Sequence, residues 1–248
     1  MKRLTFGRAA TTDSAIPSRF GRLTVEGLRV RYGGVTAVED LSLTVEPGTC
    51  VALLGANGAG KTSTLRGIGG LTPATGRVYL DDRRIDGMSA SQRARAGLGH
   101  VLEGRHVFKS LTVAENLRVA AGRAGRRSDI DPLDLLPELR ELMPRLAGGL
   151  SGGQQQMLAI ARAVAGAPRV IMLDEPTNGL APKLVARVIR ILEDLRSAGF
   201  AVLLVEQRLE VAQKLAADVV VLRHGRAAHR LHGTDPSLPD VLHAAYLS

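Results

Sequence analysis

The sequence has one cysteine, no tryptophan and few aromatic rings of any kind, with four phenylalanines and three tyrosines among 248 residues. A lone thiol rules out an internal disulfide, and Cys50, beside an apolar run, reads as a buried structural thiol. No stretch approaches the roughly 18 apolar residues that a membrane span needs. Nor does an apolar core follow the basic start Met1-Lys2-Arg3, as a secretory leader requires, so the chain is expected in the cytoplasm. Acidic residues are outnumbered, 24 against 33 basic ones, which leaves a formal net charge of +9. Part of that excess is a basic loop, Arg123, Arg126 and Arg127 with Gly122 and Gly125. No aromatics interleave those arginines as a surface for single-stranded nucleic acid would need, so no nucleic-acid partner is expected. The loop reads as solvated, with proximity to anionic lipid as the second reading.

What is present is ample apolar material, 45% of the residues with a mean hydropathy of +0.06, in a length near the upper size of one domain. Residues 1–20 mix Arg, Thr, Ser and Pro17 without apolar period and read as a disordered or adventitious tail ahead of a single domain over 21–248. Strands are expected near 22–31 and 41–46, where Leu41, Leu43 and Val45 alternate like an antiparallel pair with one buried face. The apolar run Val51 to Leu54 reads as a buried strand. Further strands near 76–80, 98–102, 169–174, 201–205 and 218–223 alternate with helical segments, the pattern of an α/β core with a largely parallel sheet. Between Glu103 and Gly166 no strand signal appears, which predicts an inserted helical subdomain over about 104–166. There Leu133, Leu136, Leu139 and Leu142 recur at helical spacing and read as core, while prolines 132, 137 and 144 break any long helix.

Three short segments carry the chemistry. Residues 55–62, Gly55-Ala56-Asn57-Gly58-Ala59-Gly60-Lys61-Thr62, fit the phosphate-loop pattern G-x-x-x-x-G-K-[ST] between a strand and a helix start, with Ser63 next. Glycines let the backbone wrap phosphate oxygens, and amides at a helix N-terminus supply aligned donors. Lys61 would place its charge on the β- and γ-phosphates and the Thr62 hydroxyl would ligate Mg²⁺. The strand Val170 to Leu173 ends in Asp174-Glu175. Asp174 is the expected Mg²⁺ carboxylate; Glu175, taken to alternate to another direction along the strand, would orient or deprotonate the attacking water. The third segment, Leu150-Ser151-Gly152-Gly153-Gln154, reads locally as a helix start with Ser151 as N-cap and a helix over Gln154 to Val164.

In this order the three motifs resemble the ATP-binding cassette family, and residues 21–248 follow that family's sequence of motifs. The resemblance implies a phosphate-loop ATPase core with a largely parallel sheet, an antiparallel β subdomain and the inserted helical subdomain. It implies two such ATPases clamping ATP and Mg²⁺ face to face, each phosphate loop opposite the Ser151 to Gln154 signature of the other. Tyr32, in Val30-Arg31-Tyr32-Gly33-Gly34-Val35, resembles the family's adenine-stacking residue. Finer likeness lies in Glu103-Gly104-Arg105-His106-Val107-Phe108, Leu111-Thr112-Val113-Ala114-Glu115-Asn116-Leu117, Asn178-Gly179-Leu180-Ala181-Pro182, Leu204-Val205-Glu206-Gln207 and Ala245-Tyr246-Leu247. These are similar to one of the two ATPases of branched-chain amino-acid importers. That likeness implies two membrane permeases, a second ATPase and an extracytoplasmic substrate-binding protein as partners, with the chain peripheral on the inner membrane face. Urea or amide importers, a non-transport cassette ATPase and a regulatory subunit are the alternatives.

Two positions depart from the family's usual residues. Glu103 stands where most members carry Gln; a carboxylate cannot donate to a phosphate and favours a cation or bound water instead. Gln207 stands where most carry His, and it can hydrogen-bond a phosphate but cannot carry a proton near neutral pH. Glu175, with Lys61, therefore bears more of the expected catalytic work, and Gln207 assists.

Overall fold

The computed structural model describes residues 20–124 and 130–246. The tail expected over residues 1–20 lies outside the described residues except for Phe20. Gly125, Arg126 and Arg127 of the basic loop, and Leu247, also lie outside them.

Two sheets carry the chain. The strands β1 (Leu23–Tyr32), β2 (Val35–Val45), β4 (Ala74–Leu80) and β5 (Arg83–Arg84) form an antiparallel sheet in the order β2-β1-β4-β5. The larger sheet has the order β10-β9-β3-β8-β7-β6, built from β3 (Cys50–Leu54), β6 (Leu98–Val101), β7 (Val170–Asp174), β8 (Ala201–Val205), β9 (Asp218–Arg223) and β10 (Arg226–His232). All its neighbours are parallel except the β9–β10 hairpin. β3, β7 and β8 are buried at every residue, as parallel strands covered on both faces must be. Such strands read as unbroken apolar runs, which is why they are visible in the sequence.

The expected α/β class holds, and among the described residues the segment between β6 and β7 carries no strand beyond one isolated bridge, Thr112 to Leu146. It contains α3 (Val113–Ala124), α4 (Pro132–Leu135), 3₁₀ turns at 137–142 and 147–149, and α5 (Gly152–Ala165), with α3 packed on α5. Pro132 and Pro137 each open a new short helical piece. Leu136 and Leu139 are fully buried, with Leu133 and Leu142 half-buried against the same core. The remaining helices are α1 (Lys61–Ile68), α2 (Ala90–Ala96), α6 (Pro182–Ser197), α7 (Leu209–Leu215) and α8 (Leu238–Tyr246).

Three differences from expectation have physical reasons. β2 starts at Val35, well before 41, because Asp40 takes φ +56 and the β1–β2 register shifts, so buried Val38 and Leu41 stand three apart and hide the alternation. β10 was not expected, since Arg226 to His232 is a largely exposed edge strand with no buried apolar set to announce it. Helix α5 starts at Gly152, directly after its N-cap Ser151, two residues before the expected Gln154.

Candidate nucleotide site

In the sheet order β3 lies beside β8 and β8 beside β7, so the carboxyl ends of these three strands open side by side. Ligands in such sheets bind outside those ends. The loop after β3 turns through Gly55 and Gly60 at φ +152 and +102. A Cβ at Gly55 would collide with the Leu222 carbonyl, and one at Gly60 with the Ala37 carbonyl, so neither position has room for another residue. Lys61 opens α1 and is 5% exposed. Its Nζ donates to the carbonyls of Gly55 at 2.8 Å and Ala56 at 3.1 Å, and lies 3.6 Å from Glu175 Oε1. Two carbonyls and one carboxylate thus fix the position of the Lys61 ammonium.

Asp174 ends β7, and its Oδ1 accepts from the Thr62 hydroxyl at 3.1 Å. The other oxygen, Oδ2, is buried without a hydrogen-bond partner. Burial pushes the Asp174 carboxyl up to about 6; the Thr62 hydrogen bond opposes that, and the charges of Glu103 and Glu175 add to it. A buried carboxylate with one unused oxygen beside a hydroxyl fits Mg²⁺, which takes one or two protein oxygens and completes its shell with water and phosphate. Glu103 lines the same cleft as Thr62 and Glu175.

Glu175 does not take its direction from strand alternation, as expected, because β7 has already ended. Its backbone turns into the left-handed region at φ +46, with its amide held by the Val205 carbonyl at 2.9 Å. That turn swings the carboxylate toward Lys61 and Gln207. Gln207 Nε2 donates to Glu175 Oε1 at 2.7 Å and Oε2 at 2.8 Å, and Asn178 Nδ2 lies 3.3 Å from Oε2. Behind them Glu206 is 2% exposed. Its Oε1 accepts from the Thr177 amide and hydroxyl at 3.2 and 2.7 Å, and its Oε2 from the Gln207 amide at 3.2 Å. Burial raises its carboxyl above the usual range.

The resulting cleft has a volume of about 410 Å³ and is lined by Ala37, Asn57, Gly58, the run Gly60 to Ser63, Glu103, Glu175, Asn178 and Gln207. Tyr32 and the segment Ser151 to Gln154 are not among its lining residues. Tyr32 ends β1 and is 43% exposed. Ser151 caps α5 in a capping box: its hydroxyl accepts from the Gln154 amide at 3.3 Å, while Gln154 Oε1 accepts from the Ser151 amide at 3.0 Å. The Arg105 guanidinium lies against Gly152. Sequence reasoning missed Asn178 and the Glu206–Thr177 link. Asn178 stands three residues after Glu175, a proximity signal that was available; the Glu206 link spans 29 residues and left none.

Comparison with known proteins agrees with this geometry. A sequence model of the family described as ABC transporter matches residues 38–178. The high-affinity branched-chain amino acid transport ATP-binding protein BraG of Pseudomonas aeruginosa is 38% identical over 221 residues, covering 87% of this chain and 94% of that one. The lipopolysaccharide export system ATP-binding protein LptB of Escherichia coli is 34% identical over 222 residues, covering 86% and 90%. The dimeric structure of MJ0796, a bacterial ABC transporter cassette, superposes with a TM-score of 0.77 at 25% identity, over 86% of this chain and 99% of that one. Among the described residues no helix is long and apolar enough to cross a membrane. The chain belongs to the ABC transporter family and is an ATPase of that family.

Proposed function

We propose that this ATPase drives an importer for branched-chain or related hydrophobic amino acids. The convergence of Lys61, Thr62, Asp174, Glu175 and Gln207 on one cleft carries the hydrolytic half of the reading. The triphosphate lies along the loop from Gly55 to Ser63, with the Lys61 ammonium on its β- and γ-phosphates and Tyr32 as the adenine platform. Thr62 and Asp174 would hold Mg²⁺, which would neutralise developing phosphate charge, and Glu103 lines the same cleft as a further acceptor. Glu175 takes a proton from the attacking water. For that, one of its oxygens must be released by Gln207, whose amide then turns to the γ-phosphate.

The pairing follows from placement. Ser151 to Gln154 stands at an α5 N-terminus away from its own cleft, and the family likeness supports a second ATPase whose ATP it meets. Two cassettes closing on two ATP molecules would draw two permease subunits together, and hydrolysis would release them, a ligand-driven population shift. An extracytoplasmic substrate-binding protein completes the importer, with this chain peripheral on the inner membrane face. BraG and the Glu103 to Leu117 run support branched-chain cargo; LptB, similar in degree and named for lipopolysaccharide export, supports a different one. The test is detergent extraction of the native complex followed by uptake in proteoliposomes. Recovery with a permease pair that takes up leucine on ATP supports the reading, and recovery with export proteins overturns it.

A regulatory second reading has one observation in its favour, the double hydrogen bond that occupies Glu175. Phosphate release from Mg-ATP by the recovered complex decides between them. Steady turnover removes the regulatory reading.

A further inference from the structure

The C-terminal helix reaches into the same site. Leu238, Leu242 and Ala245 bury one face of α8 in the core that contains β9, and Tyr246 stands on its last turn. The Tyr246 hydroxyl donates to the Gln207 carbonyl at 2.9 Å across 39 residues of sequence. Burial, then the neighbouring Glu175 and Glu206 charges, push the phenol above its ordinary range, so the hydroxyl keeps its proton at any working pH.

Gln207 is held from below by Glu206, through its amide, and from the side by Tyr246, through its carbonyl. Fixing both ends of one peptide residue restricts its backbone, and hence the place from which its side-chain amide reaches 2.7 and 2.8 Å from the carboxylate. We propose that Tyr246 is a positioning residue for hydrolysis, holding the Gln207 carbonyl so that the Gln207 side chain is presented to Glu175 and to the phosphate. It touches neither nucleotide nor water itself. The proposal rests on the assignment of Glu175 and Gln207 to water activation.

A double-mutant cycle separates this role from plain packing. Tyr246→Phe keeps the ring and removes the hydroxyl; Gln207→Ala keeps the carbonyl that accepts from Tyr246 and removes the side chain it positions. Tyr246→Phe is expected to lower kcat for Mg-ATP about fivefold with KM within twofold, and to cost nothing further when Gln207 is already Ala. An unchanged kcat, or the same fivefold loss in both backgrounds, overturns the proposal. Hydrogen exchange reads the same link without turnover. In Tyr246→Phe the amides of 206–208 should exchange faster while β9 and the start of α8 stay protected; unchanged exchange at 206–208 overturns the link, and faster exchange throughout α8 assigns the tyrosine to packing alone. Glu175→Gln in the same assay tests the underlying assignment separately. If that variant hydrolyses ATP at the wild-type rate, the role of Glu175 falls, while the coupling between Tyr246 and Gln207 is still measured.

Discussion

The side-chain amide of Gln207 is bonded to both carboxylate oxygens of Glu175, at 2.7 and 2.8 Å. An amide can hold a carboxylate in this way at every pH, whereas an imidazole in its place would hold it only as its protonation allowed. Gln207→His is therefore expected to give the kcat profile an ionisation near pH 6.5 to 7.5, raised from the ordinary value of about 6.5 by the carboxylate beside it. The wild type should show no such step from this position. A pH series of phosphate release on the two proteins checks it, and matching profiles would remove residue 207 from the proton economy of the site.

Of the carboxylates near Glu175, Asp174 accepts from the Thr62 hydroxyl, Glu206 is bonded to Thr177 and Gln207, and Glu103 lines the same cleft. Glu175→Gln should cost at least about a hundredfold in kcat, roughly 3 kcal/mol. Affinity for ATP should be kept, because Lys61 and the loop amides remain. Size-exclusion chromatography with ATP should then show a more persistent dimer than the wild type. A variant with a normal rate would mean that another group activates the water.

Asp174 carries a pH signature of a different kind. Its folded value of about 6 lies above the ordinary carboxylate value of about 3.9. The nucleotide-free protein therefore binds the extra proton between those values, so this stabilising contribution is full below about pH 4 and is lost as pH rises through about 6. Two units correspond to an upper bound of about 3 kcal/mol. Asp174→Asn should melt a few degrees higher than the wild type at pH 7.5 without nucleotide, with the gap closing toward pH 4. Binding of Mg²⁺ with ATP runs the other way: it needs the ionised carboxylate and should weaken as pH falls through about 6 in the wild type. Calorimetric melts across pH decide the first expectation, and nucleotide titrations with and without Mg²⁺ the second.

How much of this was legible in the sequence depended on how local each feature is. The phosphate loop, Asp174 and the capped start at Ser151 are set by adjacent residues, and fully buried strands such as Val170 to Asp174 show themselves as unbroken apolar runs. The position of Glu175 was anticipated but its cause was not. A φ of +46 outside the strand turns its side chain, and no residue type there announces a left-handed backbone. Strand β10 escaped notice because an edge strand with exposed Arg, His and Ala lacks the buried alternation that marks a strand. The links Tyr246 to Gln207 and Thr177 to Glu206 join segments brought together only by the sheet order β9-β3-β8-β7, so nothing in either segment alone could reveal them.

Glu206 is the clearest test of those non-local links. It is 2% exposed and spends both oxygens on backbone and hydroxyl donors, joining the turn after β7 to the end of β8. Glu206→Ala leaves the Thr177 amide and hydroxyl without their acceptor in a buried site, which should cost about 2 to 3 kcal/mol. Thr177→Ala removes one donor and leaves a carboxylate still bonded to two amides, so its cost should be nearer 1 kcal/mol. In Glu206→Gln one amide hydrogen must face the Thr177 or Gln207 N–H, donor against donor, and stability should fall nearly as far as with Ala. Urea midpoints at constant m-value give the three numbers. Because Gln207 loses a support in both Glu206 variants and keeps it in Thr177→Ala, hydrolysis should drop in the first two beyond what reduced folding explains. Equal specific activities in all three folded variants would show that Gln207 keeps its place without the buried carboxylate.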